Sequence, residues 1–145
     1  VSPTERLAAC AEGREPRLVA RLPSGFVVLF PYQFWPGYCL LMADPIAANL
    51  NALPEAGRAS FLRDMALVGD ALLAETGTVR VNYSIYGNQD PFLHAHIIPR
   101  SAQESQEFAT LPPFSVPGAV REAPEHAYSA ARHGELHERL RARLK

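Results

Sequence analysis

Two histidines, His94 and His96, stand two residues apart in the run Pro91-Phe92-Leu93-His94-Ala95-His96-Ile97-Ile98-Pro99-Arg100. A β-strand sends alternate side chains to opposite faces, so residues i, i+2 and i+4 line one side. Phe92, His94, His96 and Ile98 then share a face, while Leu93, Ala95 and Ile97 enter a core. Imidazole changes protonation near neutral pH and offers two inequivalent nitrogens. A pair of them on a rigid strand can act as nucleophile, as proton shuttle or as two ligands of a metal. One histidine on a half-buried strand is ordinarily structural. Two at this spacing, led in by the polar loop Gly87-Asn88-Gln89-Asp90, call for a chemical role. A metal site needs at least a third ligand. His126, His133 and His137 fall in a polar tail and Asp90 in a turn, so no metal and no other cofactor is expected.

The elements that must hold this strand can be read on either side of it. Residues 1–15 are polar and admit a short helix through Leu7-Ala8-Ala9. Residues 16–22 and 26–30, separated by Pro23-Ser24-Gly25, read as a hairpin of two strands. Residues 31–37 break the pattern, and Tyr38-Cys39-Leu40-Leu41-Met42-Ala43 resumes as a third strand, apolar enough to be central. Over residues 54–76 the period changes. Phe61, Met65, Val68 and Leu72 recur at helical spacing, joined by Leu62, Ala71 and Leu73. Pro54 suits the first helical position and Gly77 the residue just past the end. Over residues 78–86, Val79, Val81, Tyr83 and Ile85 alternate with Arg80, Asn82 and Ser84, which predicts a strand with one buried and one polar face. After Arg100 the chain is polar and proline-rich through Pro124, with no regular structure assigned. Residues 134–145 close as a helix with Leu136, Leu140 and Leu144 on one stripe. The class is α+β, a mostly antiparallel sheet of about five strands with one main helix and a C-terminal helix.

At 145 residues the chain is read as one domain, its core over about residues 17–100 and its tail, 101–145, irregular up to the last helix. The net charge is −1 and no Lys/Arg block occurs, so a nucleic-acid surface is not expected. No apolar run reaches the roughly 18–20 residues that span a bilayer. The first residues also lack the basic flank and apolar run of a signal peptide. Cys10 and Cys39 make neither a disulfide framework nor a zinc knuckle. A soluble cytoplasmic protein without a membrane or nucleic-acid partner is the expectation.

Residues 82–100, Asn82-Tyr83-Ser84-Ile85-Tyr86-Gly87-Asn88-Gln89-Asp90-Pro91-Phe92-Leu93-His94-Ala95-His96-Ile97-Ile98-Pro99-Arg100, resemble the signature of the histidine triad (HIT) family. That signature is His-φ-His-φ-His-φ-φ, with φ apolar, introduced by a Gly-Gln-containing loop and often closed by Pro-Arg. Aligned without gaps, His94 falls on the middle histidine, His96 on the third and Phe92 on the first. Gly87-Asn88 falls on Gly-Gln, and Gln89 on the Ser or Thr that follows. Upstream, Trp35-Pro36-Gly37-Tyr38-Cys39-Leu40-Leu41 is similar to the family's Pro-Gly-His turn into a strand, and the helix at 54–76 falls where the family has its main helix. The resemblance covers about residues 17–100.

The resemblance implies a five-stranded antiparallel sheet, a homodimer, and a nucleotide hydrolase or transferase acting at an α-phosphate of a small purine nucleotide. The substrates implied are dinucleoside polyphosphates or nucleoside phosphoramidates. His94 would attack phosphorus to give a nucleotidyl-histidine that water cleaves, its other nitrogen held protonated by a nearby backbone carbonyl. His96 would bond the phosphate or the leaving oxygen and help proton transfer, and Asn88 and Gln89 would donate to phosphate oxygens. The family's ribose-binding Asp or Asn falls on Phe30, which leaves Asn82, Tyr32 or Gln33 to replace it. Trp35 is kept as a pocket wall, and Arg100 is either a structural end charge or a phosphate clamp. Phe92 is expected to accept histidine with turnover raised or preserved and the fold intact, because it is off the Leu93/Ala95/Ile97 face; the opposing reading makes it a packing residue of the pocket floor, where losing its apolar area costs stability. Two other readings stand beside the hydrolase: a regulatory nucleotide-binding protein with little turnover, and a His-x-His metal-binding protein.

Overall fold

Helix α1 (Pro3–Ala11) is followed by three strands, β1 (Leu18–Leu22), β2 (Gly25–Leu29) and β3 (Cys39–Ala43), then by helix α2 (Glu55–Glu75). Strands β4 (Thr78–Ser84) and β5 (His94–Ser101) come next, then the one-turn helix α3 (Gly118–Arg121) and helix α4 (Ala130–Leu144). This is a computed structural model, and it describes all of residues 1–145. The strands form one antiparallel sheet in the order β1-β2-β3-β5-β4, which places the histidine strand between β3 and the edge. The α+β class and the five-stranded sheet agree with the sequence reading. No helix is long and apolar enough to cross a membrane.

The sheet has two covered faces of different kinds. On the inner face, Val27, Leu29, Leu41, Leu93, Ala95 and Ile97 pack against Phe61, Met65, Val68 and Leu72 of α2 and Leu140 and Leu144 of α4. All are buried, so the alternation of β5 and the helical stripe of α2 both hold. Leu62 and Leu73, expected to join that stripe, are about half exposed. They lie off the face that meets the sheet, and the helix presents apolar residues on more sides than the core can use.

The outer face is closed at its two ends only. At one end α1 lays Leu7 and Cys10 on Phe26, Val28, Met42 and Phe92. Ser2 caps this helix, with its hydroxyl accepting from the Glu5 amide and the Glu5 carboxylate accepting from the Ser2 amide, a reciprocal pair that makes so short a helix stable. At the other end the segment after β5 covers Trp35, Tyr38 and Ile98 with Val116 and partly buried Phe108 and Leu111. That segment has only short turns besides α3, so its order comes from elsewhere. Arg100, buried, supplies it. Its guanidinium donates to both oxygens of Glu104, to Asn82 Oδ1 at 2.9 Å, and to the carbonyls of Leu111, Phe108 and Ala109. Of the two roles left open for Arg100, the structural one is observed.

Several boundaries differ from the sequence reading for local reasons. Pro54 is the N-cap of α2 and not its first residue. Helix α4 starts at Ala130, four residues before the expected start, because the Ser129 hydroxyl accepts from the Arg132 amide. Strand β4 is an edge strand, and of its expected buried face Val79 is exposed and Tyr83, though its ring reaches Gly69 of α2, stays 44% exposed. Gly25 is required at the start of β2, where a Cβ would sit 1.9 Å from the Met42 carbonyl oxygen. Asp64 of α2 is buried and accepts from the Ser24 amide and hydroxyl, tying the helix to the β1–β2 turn.

Phe92 is where the structure chooses between two readings of the sequence, and the packing one is observed. It lies on the outer face, as its register requires, yet it is only 2% exposed, because α1 turns that end of the face into a second core. Phe92→His would bury a polar ring among Leu7, Cys10, Phe26, Val28 and Met42, with the stacked His94 ring its one polar neighbour in view. The substitution is expected to cost about 2–4 kcal/mol in urea unfolding. A variant within about 0.5 kcal/mol of the parent would mean that α1 does not seal this position.

Candidate active site

Between the two closed ends of the outer face lies an open cavity of about 1150 Å³. Its floor is Val28 and Phe30 of the β2 side, Leu40 and Met42 of β3, and His94 and His96 of β5. Antiparallel pairing puts Met42 opposite His94 and Leu40 opposite His96, so each imidazole has an apolar neighbour across the strand. Val1 and Arg6 border the cavity at the α1 end, Phe114, Arg121 and Glu122 at the other, and the loop Tyr86-Gly87-Asn88-Gln89-Asp90 closes one side. Gly87 has φ +74°, which lets this loop turn back from β4 into the histidine strand.

The two rings, with centroids 5.2 Å apart, are held by opposite hydrogen-bond logic. His94 Nδ1 is 2.9 Å from the carbonyl oxygen of Phe92. A carbonyl can only accept, so Nδ1 carries the proton and Nε2 of the neutral ring presents a lone pair. His96 Nδ1 is 2.7 Å from the hydroxyl of Tyr38, whose ring is buried and stacked on Phe30 at 4.2 Å. Burial pushes the Tyr38 hydroxyl well above its ordinary pKa, so it stays protonated and donates to Nδ1. The proton of neutral His96 is then on Nε2. Burial, and secondarily the closeness of His94, a second group that would bear like charge, lowers the His96 pKa to about 4, which keeps that ring neutral at physiological pH. One imidazole thus offers an electron pair and the other an N–H.

Of the residues singled out from sequence, His94, His96, Asn88 and Gln89 line one cavity. Asn88 and Gln89 are exposed, and their amides make no hydrogen bond within the protein. Asn82 does not join them. It sits further along β4, opposite Ile98, and its Oδ1 accepts from Arg100. Gln33 is also committed elsewhere, donating to the Phe30 and Tyr38 carbonyls and accepting from the Gly37 amide. Tyr32 bridges to Ala127, and Trp35 is buried behind the cavity with its Nε1 donating to Glu104. The downstream histidines have separate posts. His137 Nε2 donates to the Leu18 carbonyl, His133 Nδ1 accepts from the Ser129 amide, and His126 packs edge-on against Phe34. No three His, Cys, Asp or Glu side chains converge at metal-ligand spacing.

Sequence reasoning missed Tyr38, Tyr86, Phe114 and Arg121. Tyr38 had a usable signal, since it begins the third strand two residues before Leu40, on the same face. Phe114 and Arg121 had none. They belong to a proline-rich stretch without periodicity, and reach the site only because Arg100 folds that stretch back over the sheet.

No protein-family sequence profile matches the chain, and no curated protein sequence matches it. Solved structures do. A histidine triad protein from Bradyrhizobium japonicum superposes with a TM-score of 0.70 at 24% identity, over 88% of this chain and 90% of that one. A histidine triad (HIT) protein from Sinorhizobium meliloti 1021 gives 0.69 at 22% identity, over 97% and 94%. A hypothetical histidine triad nucleotide-binding protein from Sulfolobus tokodaii gives 0.70 at 15% identity, over 95% and 89%. The likeness is one of architecture, and it agrees with the resemblance carried by the histidine strand: this chain has the fold of the histidine triad proteins.

Proposed function

We propose that the chain is a nucleotide hydrolase acting at an α-phosphate through a nucleotidyl-histidine intermediate, with His94 as nucleophile. The observation that carries this reading is the pair of opposed tautomers: an Nε2 lone pair on His94 beside an Nε2–H on His96, at the floor of one cavity. The description of the Sulfolobus tokodaii protein of this fold as nucleotide-binding supports a nucleotide as the ligand.

In this reading His94 Nε2 forms a bond to the α-phosphorus as the bond to the leaving group breaks. The ring becomes cationic, and its Nδ1–H, already directed at the Phe92 carbonyl, shares that charge. His96 donates its Nε2–H to a phosphate oxygen and stays neutral, and the unengaged amides of Asn88 and Gln89 add donors from the loop. Water then cleaves the phosphorus–nitrogen bond, releasing the nucleotide and restoring neutral His94. The apolar floor of Val28, Leu40 and Phe30 suits a flat nucleobase.

Removing the nucleophile should leave only binding and electrostatic catalysis, so His94→Ala is expected to lose at least about 10³-fold in turnover. His94→Asn should still bind adenosine monophosphate in titration calorimetry, since shape and a donor remain. Wild-type turnover by His94→Ala would sink the assignment.

The depressed pKa of His96 has a consequence for stability. An unfolded chain protonates this histidine below about 6.5, whereas the folded chain resists until about 4. The unfolded state therefore binds more protons across that interval, and stability falls as pH drops through it, by on the order of 3 kcal/mol from this residue. Urea unfolding at pH 5 and pH 7 should show a smaller difference in His96→Asn than in the parent. An equal difference in both would mean that His96 is not held neutral.

A further inference from the structure

Arg100 and Arg121 both serve the outer face of the sheet, and the protein uses them differently. Arg100 is committed at every nitrogen, to Glu104, Asn82 and three carbonyls. Arg121 gives the protein one hydrogen bond, from Nε to the Val116 carbonyl at 2.8 Å. Its guanidinium lies over the Phe114 ring at 5.1 Å, and that ring stands 5.2 Å from His96. The nearest carboxylate, Glu122, is 3.8 Å from Nη1 and itself 46% exposed, a loose pairing. The side chain of Arg121 is only 16% exposed, yet its terminal nitrogens carry four N–H donors with no hydrogen-bonded partner, and it lines the cavity of His94 and His96. Of the other cavity arginines, Arg17 is committed to Glu15 and the Leu29 carbonyl, and Arg6, paired once with Asp90, is 38% exposed at the α1 end of the cavity, where water already solvates it. A largely desolvated guanidinium, anchored by Nε and one face with its fork unspent, is organised for an oxyanion.

The chemistry of departure points the same way. An amine must gain a proton as its bond to phosphorus breaks. A phosphate leaves as an anion and needs only a cation to receive its charge.

We propose that Arg121 binds the phosphate next to the one attacked, so that this site favours nucleoside polyphosphates, dinucleoside polyphosphates among them, over phosphoramidates. The proposal rests on the reading of His94 as nucleophile. The bond from His94 Nε2 to the α-phosphorus forms while the bond from that phosphorus to the bridging oxygen breaks. The electron pair stays on the oxygen, and the charge of the departing phosphate is met by Arg121. Water then opens the phosphorus–nitrogen bond, and the proton it releases goes to solvent.

The test compares kcat/KM for diadenosine tetraphosphate and for adenosine phosphoramidate in the parent, Arg121→Gln, Arg121→Lys and His94→Ala. The parent should favour the polyphosphate. Arg121→Gln should lose about 30-fold or more on the polyphosphate. That loss should exceed the loss on the phosphoramidate by about 10-fold, with Arg121→Lys recovering part of it and the unfolding midpoint little changed. Equal losses on the two substrates, an unaltered polyphosphate rate, or a parent that favours the phosphoramidate would overturn the role of Arg121 while leaving the nucleophile in place. Absence of turnover of both substrates by the parent, or undiminished turnover by His94→Ala, would overturn the underlying reading and this proposal with it.

Discussion

Strand β5 has to satisfy two environments with one backbone, and the rest of the molecule is arranged around that demand. Leu93, Ala95 and Ile97 need a dry core, while His94 and His96 need a cavity that reaches solvent. Alternation delivers both only while the register against β3 is kept, because a slip of one residue would send the imidazoles into the core. The register is held from behind by α2 and α4, which bury the odd-numbered residues completely. Stability and site geometry are therefore one constraint.

Within that frame, chemical identity is assigned to each imidazole by its back partner. A backbone carbonyl behind His94 can only accept, and a buried phenol behind His96 has only that ring to donate to. Two identical side chains become an electron-pair donor and a hydrogen-bond donor without any nearby charged residue having to discriminate between them. The arrangement depends on dryness. Burial keeps the tyrosine protonated and the second histidine neutral, and both effects would fade in a wetter site.

The outer face shows how a cavity is left in a sheet that would otherwise be covered. Helix α1 seals the Phe92 end with apolar packing, and the segment after β5 seals the Tyr38 end through the hydrogen bonds of Arg100. Neither reaches the middle. Phenylalanine beside His94 stacks on its ring at 4.6 Å while its own carbonyl takes the Nδ1 proton, so Phe92 supports the histidine through backbone and packing.

Period and residue type were sufficient to determine the two faces of β5, the long helix, the sheet-plus-helix class and the two histidines as neighbours on one side. All of these follow from local geometry, because a two-residue repeat and a helical repeat are properties of the backbone that any fold must respect. The Gly87–Asp90 loop was likewise legible, being contiguous with the histidine strand. What only the tertiary structure decided was which polar groups remain free. Asn82 and Gln33 are as polar as Asn88 and Gln89, but Arg100 and the turn at Gly37 claim them. Phe92 has the register of a site residue and the surroundings of a core residue, because a helix far away in sequence lands on it. Phe114 and Arg121 enter the site through long-range closure, which leaves no periodic trace in the chain. Hydrogen-bond commitment and burial are sums over neighbours brought together from distant positions, and so they arise only when the chain has folded.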